Sequence, residues 1–158
     1  MEIKALVVYY SRSGHTKKVA EAIADMISGD TEEIIDTKKR SGPLGYVRSG
    51  RESMKEMLAD IQEPVKDPSE YDLVIVGTPV WAMKMSTPVR AYLSKVKSRI
   101  NNVAFFCTMG GKGDESTLSG MEEFLDMEPV AKMSFRSGDI KKGTYPEAVG
   151  KFIDMINI

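Results

Sequence analysis

The 158-residue sequence predicts an open, doubly wound α/β fold: a five-stranded parallel sheet in the order 2-1-3-4-5 with helices on both faces. Strand-like apolar runs alternate along the chain with segments of helical periodicity, which is typical of βαβ crossovers. Three of the runs are continuously apolar rather than alternating, as expected for parallel strands that are buried on both faces. We expect one domain that spans residues 1–158.

Five runs have the composition of strands. They are Ile3–Tyr10, Thr31–Ile35, Leu73–Gly77, Val103–Cys107 and Val130–Phe135. The first, third and fourth are the continuously apolar ones, so we expect them at the centre of the sheet.

Five segments have helical periodicity. They are His15–Ile27, Gly50–Ile61, Thr87–Val96, Glu115–Leu125 and Pro146–Ile156. The prediction of the second helix depends on methionine, leucine and isoleucine side chains that recur at helical spacing. It lies in a connection, residues 37–70, that is longer than one helix requires.

The composition excludes several function classes. With 22 basic and 23 acidic residues the net charge is −1, which gives no electrostatic argument for nucleic acid as a partner. No apolar run approaches 18 residues, so we expect no membrane insertion. One cysteine, Cys107, excludes an intrachain disulfide and fits the cytoplasm, and with a single histidine it indicates no metal site.

The segment between the first strand and the first helix is rich in hydroxyl groups. It consists of Ser11, Arg12, Ser13, Gly14, His15 and Thr16. The N–H groups at a helix N-terminus are unpaired and carry partial positive charge, so they favour an anion. The hydroxyl groups add donors, and a glycine lets the backbone approach closely. This segment, called here the first loop, predicts a phosphate site.

Two further segments leave carboxyl ends of strands, where doubly wound sheets bind ligands. The second loop includes Thr78, Pro79, Val80, Trp81 and Ala82, and the third consists of Thr108, Met109, Gly110, Gly111, Lys112 and Gly113. Trp81, the only tryptophan, could stack on a flat ring, and the glycines expose backbone amides to a ring edge. A phosphate, a stacked ring and a ring edge together indicate flavin mononucleotide (FMN).

At these three loops the chain resembles the flavodoxin-like family, and the resemblance extends over the whole chain. The resemblance implies non-covalent FMN, with phosphate at Ser11–Thr16 and flavin contacts at the second and third loops. It implies a protein that transfers electrons, with no side chain required as catalytic acid or base. An FMN oxidoreductase that uses NAD(P)H or another donor, for example on quinones, stays open. A phosphate-binding module without flavin is the weakest alternative.

Three departures from the family pattern stand out. The chain is near neutral rather than strongly acidic. Ala82 follows the tryptophan where a glycine is common, and alanine resists positive φ. The third loop has no tyrosine to cover the second flavin face, which leaves Tyr46, Met83 and Met109 as candidates. Lys84 and Lys112, opposed by Asp114 and Glu115, predict a less negative second reduction potential than in an acidic flavodoxin.

The electron donor is open between a redox partner protein and a reduced nicotinamide, and self-association to a homo-oligomer is open as well. The long connection contains the basic residues Lys38, Lys39, Arg40, Arg48 and Arg51. The default interpretation is a solvated surface. The alternative is a docking surface for an acidic donor or for nicotinamide phosphates.

Overall fold

The computed structural model describes residues 3–37, 42–55 and 58–156. The sheet consists of β1 (Ala5–Tyr9), β2 (Asp30–Glu33), β3 (Leu73–Trp81), β4 (Lys84–Met85), β5 (Val103–Met109) and β6 (Lys132–Arg136). Its parallel strands have the order β2-β1-β3-β5-β6, and the two-residue β4 pairs antiparallel with β3. Without β4 this is the predicted order of five parallel strands, so the predicted fold class is confirmed.

Helices cover both faces of this sheet. They are α1 (His15–Ile27), α2 (Gly42–Met54), α3 (Thr87–Val96), α4 (Asp114–Leu125), α5 (Ser137–Lys142) and α6 (Tyr145–Met155). The core divides into two clusters, with α1, α5 and α6 on one face and α3 and α4 on the other. Within the described residues, these helices are too short or too polar to cross a membrane.

The central strands contribute alternate side chains to the two core clusters. In β1, Leu6 and Val8 face the α3 and α4 side, whereas Val7 and Tyr9 face the α1 and α6 side. These side chains are almost fully buried. A shift of one residue in pairing would exchange the faces of every side chain in the strand. Burial on both sides therefore fixes which residues emerge at the carboxyl ends of the strands.

The second helix lies earlier than predicted. The sequence pattern indicated Gly50–Ile61, but the structure has a helix over Gly42–Met54. Ile61, which anchored the predicted period, is instead buried in an isolated β-bridge with Asp36. Met54 and Leu58 are exposed. The prediction was wrong because it assumed that a helix buries its apolar residues, and α2 does not.

The second loop is mostly a β-hairpin rather than irregular chain. β3 continues past the predicted end at Gly77 to Trp81, and the chain returns as β4. β5 likewise extends to Met109, two residues beyond its predicted end. The short helix α5 was not predicted, because six residues are too few to display a helical period.

Part of the predicted basic surface can be located. Arg48 and Arg51 lie on α2 and are exposed. Lys38, Lys39 and Arg40 lie outside the described residues.

We expect Gly77→Ala to destabilise the fold. A Cβ at position 77 would overlap the fully buried ring of Phe106 on the neighbouring strand. Overpacking of this kind costs about 1–3 kcal/mol, measurable as a lower urea midpoint. The matched control is Gly150→Ala in α6, where a Cβ would meet nothing within 4 Å. Equal midpoints for the two variants would contradict the prediction.

Candidate functional site

Contacts between side chains and backbone join the three loops into one site. The Thr16 and Thr108 hydroxyl groups are 2.8 Å apart and buried, which ties the first loop to the third. The Ser116 hydroxyl donates to the Met83 carbonyl at 2.7 Å, and so α4 is attached to the hairpin. A Cβ at Gly113 would lie 2.9 Å from Val80 and 3.1 Å from the Met83 backbone, so the third loop packs directly on the hairpin.

The first loop directs backbone donors toward one point. The N–H groups of Gly14 and Lys17 donate to the Ser11 hydroxyl oxygen at 3.1 and 3.2 Å. Gly14 is the N-cap of α1 with φ 99°, and it has no side chain to cap the helix. Arg12 and Ser13 are exposed beside it. A loop with converging N–H groups and hydroxyl groups at the start of a helix fits an anion.

The electrostatics of the first loop are also favourable to an anion. The pKa of His15 is lowered below its ordinary value, first by partial burial and then by the positive charges of Lys141 and Lys18. Lys141 belongs to α5. These two cations are therefore close enough to act on a charge at the start of α1. Neither lysine was predicted from the sequence to belong to the site, and Lys141 reaches it only through the tertiary fold.

The hairpin turn consists of Ala82 and Met83. Both have positive φ, 51° and 64°, and the flanking residues Trp81 and Lys84 pair across the turn. Two left-handed residues between antiparallel strands are the geometry of a type I′ turn. The expectation that Ala82 would resist positive φ is wrong. The turn adopts this conformation because the hairpin requires it, although each non-glycine residue there costs about 1–2 kcal/mol.

Trp81 is almost buried but still borders a cavity. The residue is 6% exposed, and its ring packs edge-on against the ring of Tyr10, with centroids 5.5 Å apart. The cavity has a volume of about 380 Å³. The residues that line it come from the hairpin and from α2: Val80, Trp81 and Ala82, and Tyr46, Val47, Gly50, Arg51 and Met54. The cavity, called here the Trp81 cavity, is mostly apolar and has the size of a ligand pocket.

The first loop and α2 are in direct contact. The Arg12 guanidinium lies 5.4 Å from the centroid of the Tyr46 ring, as in a cation–π interaction. This contact places the Trp81 cavity next to the first loop. Of the candidates for covering a flat ring, Tyr46 lines the cavity, Met83 is half exposed and Met109 is buried.

Several predicted site residues have structural partners inside the fold. Thr78 is fully buried, and its hydroxyl accepts a hydrogen bond from the Ser86 N–H at 2.9 Å, which holds the base of the hairpin. The Thr108 hydroxyl group shares a hydrogen bond with the Thr16 hydroxyl group. Pro79 is half-buried in β3.

The tip of the third loop faces open space. Gly110, Gly111 and Lys112 are exposed, and a Cβ at either glycine would meet nothing within 4 Å. Backbone amides there are accessible to a ligand.

Cys107, just before this loop, is fully buried. Burial raises the pKa of its thiol to about 12, so it is no nucleophile.

The hairpin separates the Trp81 cavity from a second one. This other cavity, of about 680 Å³, lies between the hairpin and α4. Lys84 lines it rather than the Trp81 cavity. Apart from Tyr46, the sequence did not predict which α2 residues line the Trp81 cavity. The pattern of apolar residues indicated a helix over Gly50–Ile61 rather than over Gly42–Met54.

We expect Ala82→Gly to stabilise the protein. Glycine removes the left-handed strain, and after its own entropy cost the gain is about 0.5–1 kcal/mol. Urea unfolding measures this as a higher midpoint. The control is Ala22→Gly inside α1, where φ is helical and the same change costs about 1 kcal/mol. A loss of stability in both variants would contradict the turn geometry.

Comparisons with known proteins agree with this architecture. A flavoprotein from Lactobacillus acidophilus, solved in complex with FMN, is 27% identical with a TM-score of 0.73, over 89% of this chain and 97% of that one. A candidate flavoprotein from Bacteroides eggerthii is 21% identical with a TM-score of 0.83, over 99% of both chains. Oxidised flavodoxin 1 from Bacillus cereus is 16% identical with a TM-score of 0.57, over 98% of this chain and 99% of that one. The last two likenesses concern the fold alone.

A model of one protein family, described as Flavodoxin, matches residues 4–154. The match includes all three loops and the hairpin between them. The chain belongs to the flavodoxin family.

Proposed function

We propose that this protein binds FMN non-covalently and uses it to transfer electrons. The observation that carries the proposal is the contact between two unlike halves of one site. Converging N–H groups at the first loop adjoin the apolar Trp81 cavity through the Arg12–Tyr46 contact. A phosphate ester joined to a flat aromatic ring fits such a pair of sites. The FMN bound to the Lactobacillus acidophilus protein supports the same ligand.

The flavin supplies the redox chemistry when bound, and the chain positions it. The N–H groups of Gly14 and Lys17 donate to the Ser11 hydroxyl oxygen, and a phosphate oxygen in its place would accept from the same two groups. Lys18 and Lys141 would balance the phosphate charge. Trp81, Val80 and Tyr46 would border the ring. The accessible amides near Gly110 and Gly111 are suited to a polar ring edge. No side chain needs to act as acid or base.

The partners and location follow from the same features. A redox partner protein is the donor that we favour over a reduced nicotinamide, because the helix α2, which lines the cavity, presents exposed apolar and basic side chains. We also expect a cytoplasmic location, on the basis of a single cysteine that is buried.

Titration with FMN tests the proposal directly. Trp81 is the only tryptophan, so a flavin in the Trp81 cavity should quench the tryptophan emission. Riboflavin lacks the phosphate and should bind more weakly than FMN. Ser13→Asp should weaken FMN at least about tenfold by charge repulsion and leave riboflavin unchanged.

Ser119→Asp, an exposed serine on α4, is the matched control for the added charge. No quenching with FMN would refute the proposal. Equal affinities for FMN and riboflavin would refute the phosphate site. Rapid steady-state oxidation of NAD(P)H with a quinone would favour the oxidoreductase alternative.

His15 gives a second, independent measurement, since it is the only histidine. Burial and two lysines lower its pKa in the free protein. A phosphate anion favours the charged imidazolium, so FMN should raise that pKa whereas riboflavin should not. By linkage, FMN should bind more weakly as the pH rises through the pKa of His15.

An NMR titration of the single imidazole measures this shift. If FMN binds and quenches Trp81 emission but the pKa of His15 does not move, the phosphate lies elsewhere.

A further inference from the structure

The helix α2 exposes its large apolar side chains and buries small or polar residues. Leu44, Val47 and Met54 are 86%, 65% and 67% exposed. The residues that α2 buries are small or polar, namely Gly45, Ser49 and Glu52. Surface helices ordinarily bury their apolar stripe, and a contiguous exposed apolar surface marks an interaction site. Val47 and Met54 line the Trp81 cavity, where the proposed flavin would cover part of them, whereas Leu44 lies outside that cavity and is left for a partner on the outer face.

The same outer face is basic. Arg48 and Arg51 follow Leu44 at spacings of four and three residues, which places them on the same side of the helix. Lys55 lies one residue past the end of α2, and its N–H donates to the Arg51 carbonyl at 3.3 Å, so it continues this side. All four are exposed. The acidic residue of the helix, Glu52, is buried, and its carboxylate lies 3.4 Å from Arg48 Nε. The outer face thus presents cations and apolar groups, with no exposed carboxylate among the described residues of α2.

The sequence around α2 has the same bias. Between positions 38 and 55 there is one acidic residue, Glu52. The basic residues are Lys38, Lys39, Arg40, Arg48, Arg51 and Lys55. Since the whole chain has a net charge of −1, this segment is a local concentration of positive charge rather than part of a basic protein.

The outer face borders the proposed flavin site. Val47, Arg51 and Met54 line the Trp81 cavity, and Tyr46 on the same helix contacts Arg12. A protein seated on α2 would therefore cover the mouth of this cavity. Its own redox group would lie next to a ring bound there.

We propose that the outer face of α2, formed by Leu44, Val47, Arg48, Arg51 and Lys55, docks an electron-carrier protein with an acidic surface. The inference rests on the proposed function. In each encounter one electron leaves the reduced redox centre of the partner and enters the flavin, and no covalent bond forms. Opposite charges steer the two proteins together, and the exposed apolar side chains are buried at the contact.

Two other occupants fit less well. In a symmetric dimer through α2, the three cations of one copy would face the same three of the other, and like charges oppose that contact. A small dinucleotide would satisfy the charges but leave Leu44 in water. An acidic protein satisfies both the cations and the apolar side chains.

Binding of an acidic [2Fe–2S] ferredoxin to the full chain tests the docking surface. Fluorescence anisotropy of the labelled ferredoxin gives the dissociation constant, with and without FMN. We expect binding at low ionic strength that weakens about tenfold or more when salt is raised. Lys55→Glu should weaken it about tenfold, whereas Lys151→Glu on α6 should change it less than about twofold. Leu44→Ser should weaken binding at every salt concentration.

Circular dichroism and FMN affinity should be unchanged in these three variants, which separates docking from folding and from cofactor binding. If the wild-type protein does not bind FMN, the proposed function is refuted. Binding of the ferredoxin can still be measured without FMN, so the docking surface is tested separately. Equal effects of Lys55→Glu and Lys151→Glu would overturn the docking surface. So would tighter binding of a basic cytochrome c, or self-association that Leu44→Ser abolishes.

Discussion

Burial of both faces of three adjacent parallel strands is the constraint on which this structure depends. β1, β3 and β5 each direct alternate side chains into the two core clusters, so none of them can slip by one residue. Their register brings Tyr9 beside Gly77, and Pro79 beside Thr108. The loops that follow must therefore begin side by side. The candidate site is a consequence of this packing rather than a separate feature added to it.

The site is held together by a few short polar contacts across that edge. The Thr16–Thr108 hydroxyl pair joins the first and third loops, and Ser116 holds the turn at Met83. Three of the hydroxyl groups in the predicted loops, those of Thr16, Thr78 and Thr108, are buried in such contacts. They order the loops, and the open donors of the site are left to the backbone. A rigid frame around exposed amides suits a ligand with a charged end and a flat end.

The α2 helix leaves large apolar side chains exposed, whereas the other helices bury most of theirs in the core. A fully buried Leu, Val or Met side chain contributes about 1.5–3 kcal/mol, and α2 leaves Leu44, Val47 and Met54 largely in water. The ring of Tyr46 contacts Arg12 of the first loop, whereas the ion pair of Arg48 with Glu52 lies within the helix itself. Such a helix is consistent with a fold whose stability lies in the sheet. The outer face of α2, beside the candidate site, is then available to bind the proposed partner.

The sequence by itself determined the sheet and predicted which loops form the candidate site. Continuous apolar runs located the central strands, and the composition of three loops predicted the edge at which a ligand would bind, because both are local properties of the chain. Tertiary structure alone decided that Ala82 takes positive φ, since pairing of Trp81 with Lys84 imposes the turn. It also decided that α2 faces outward and that Lys141 acts on the first loop. Periodicity cannot reveal these features, because they depend on what each segment packs against and not on the segment itself.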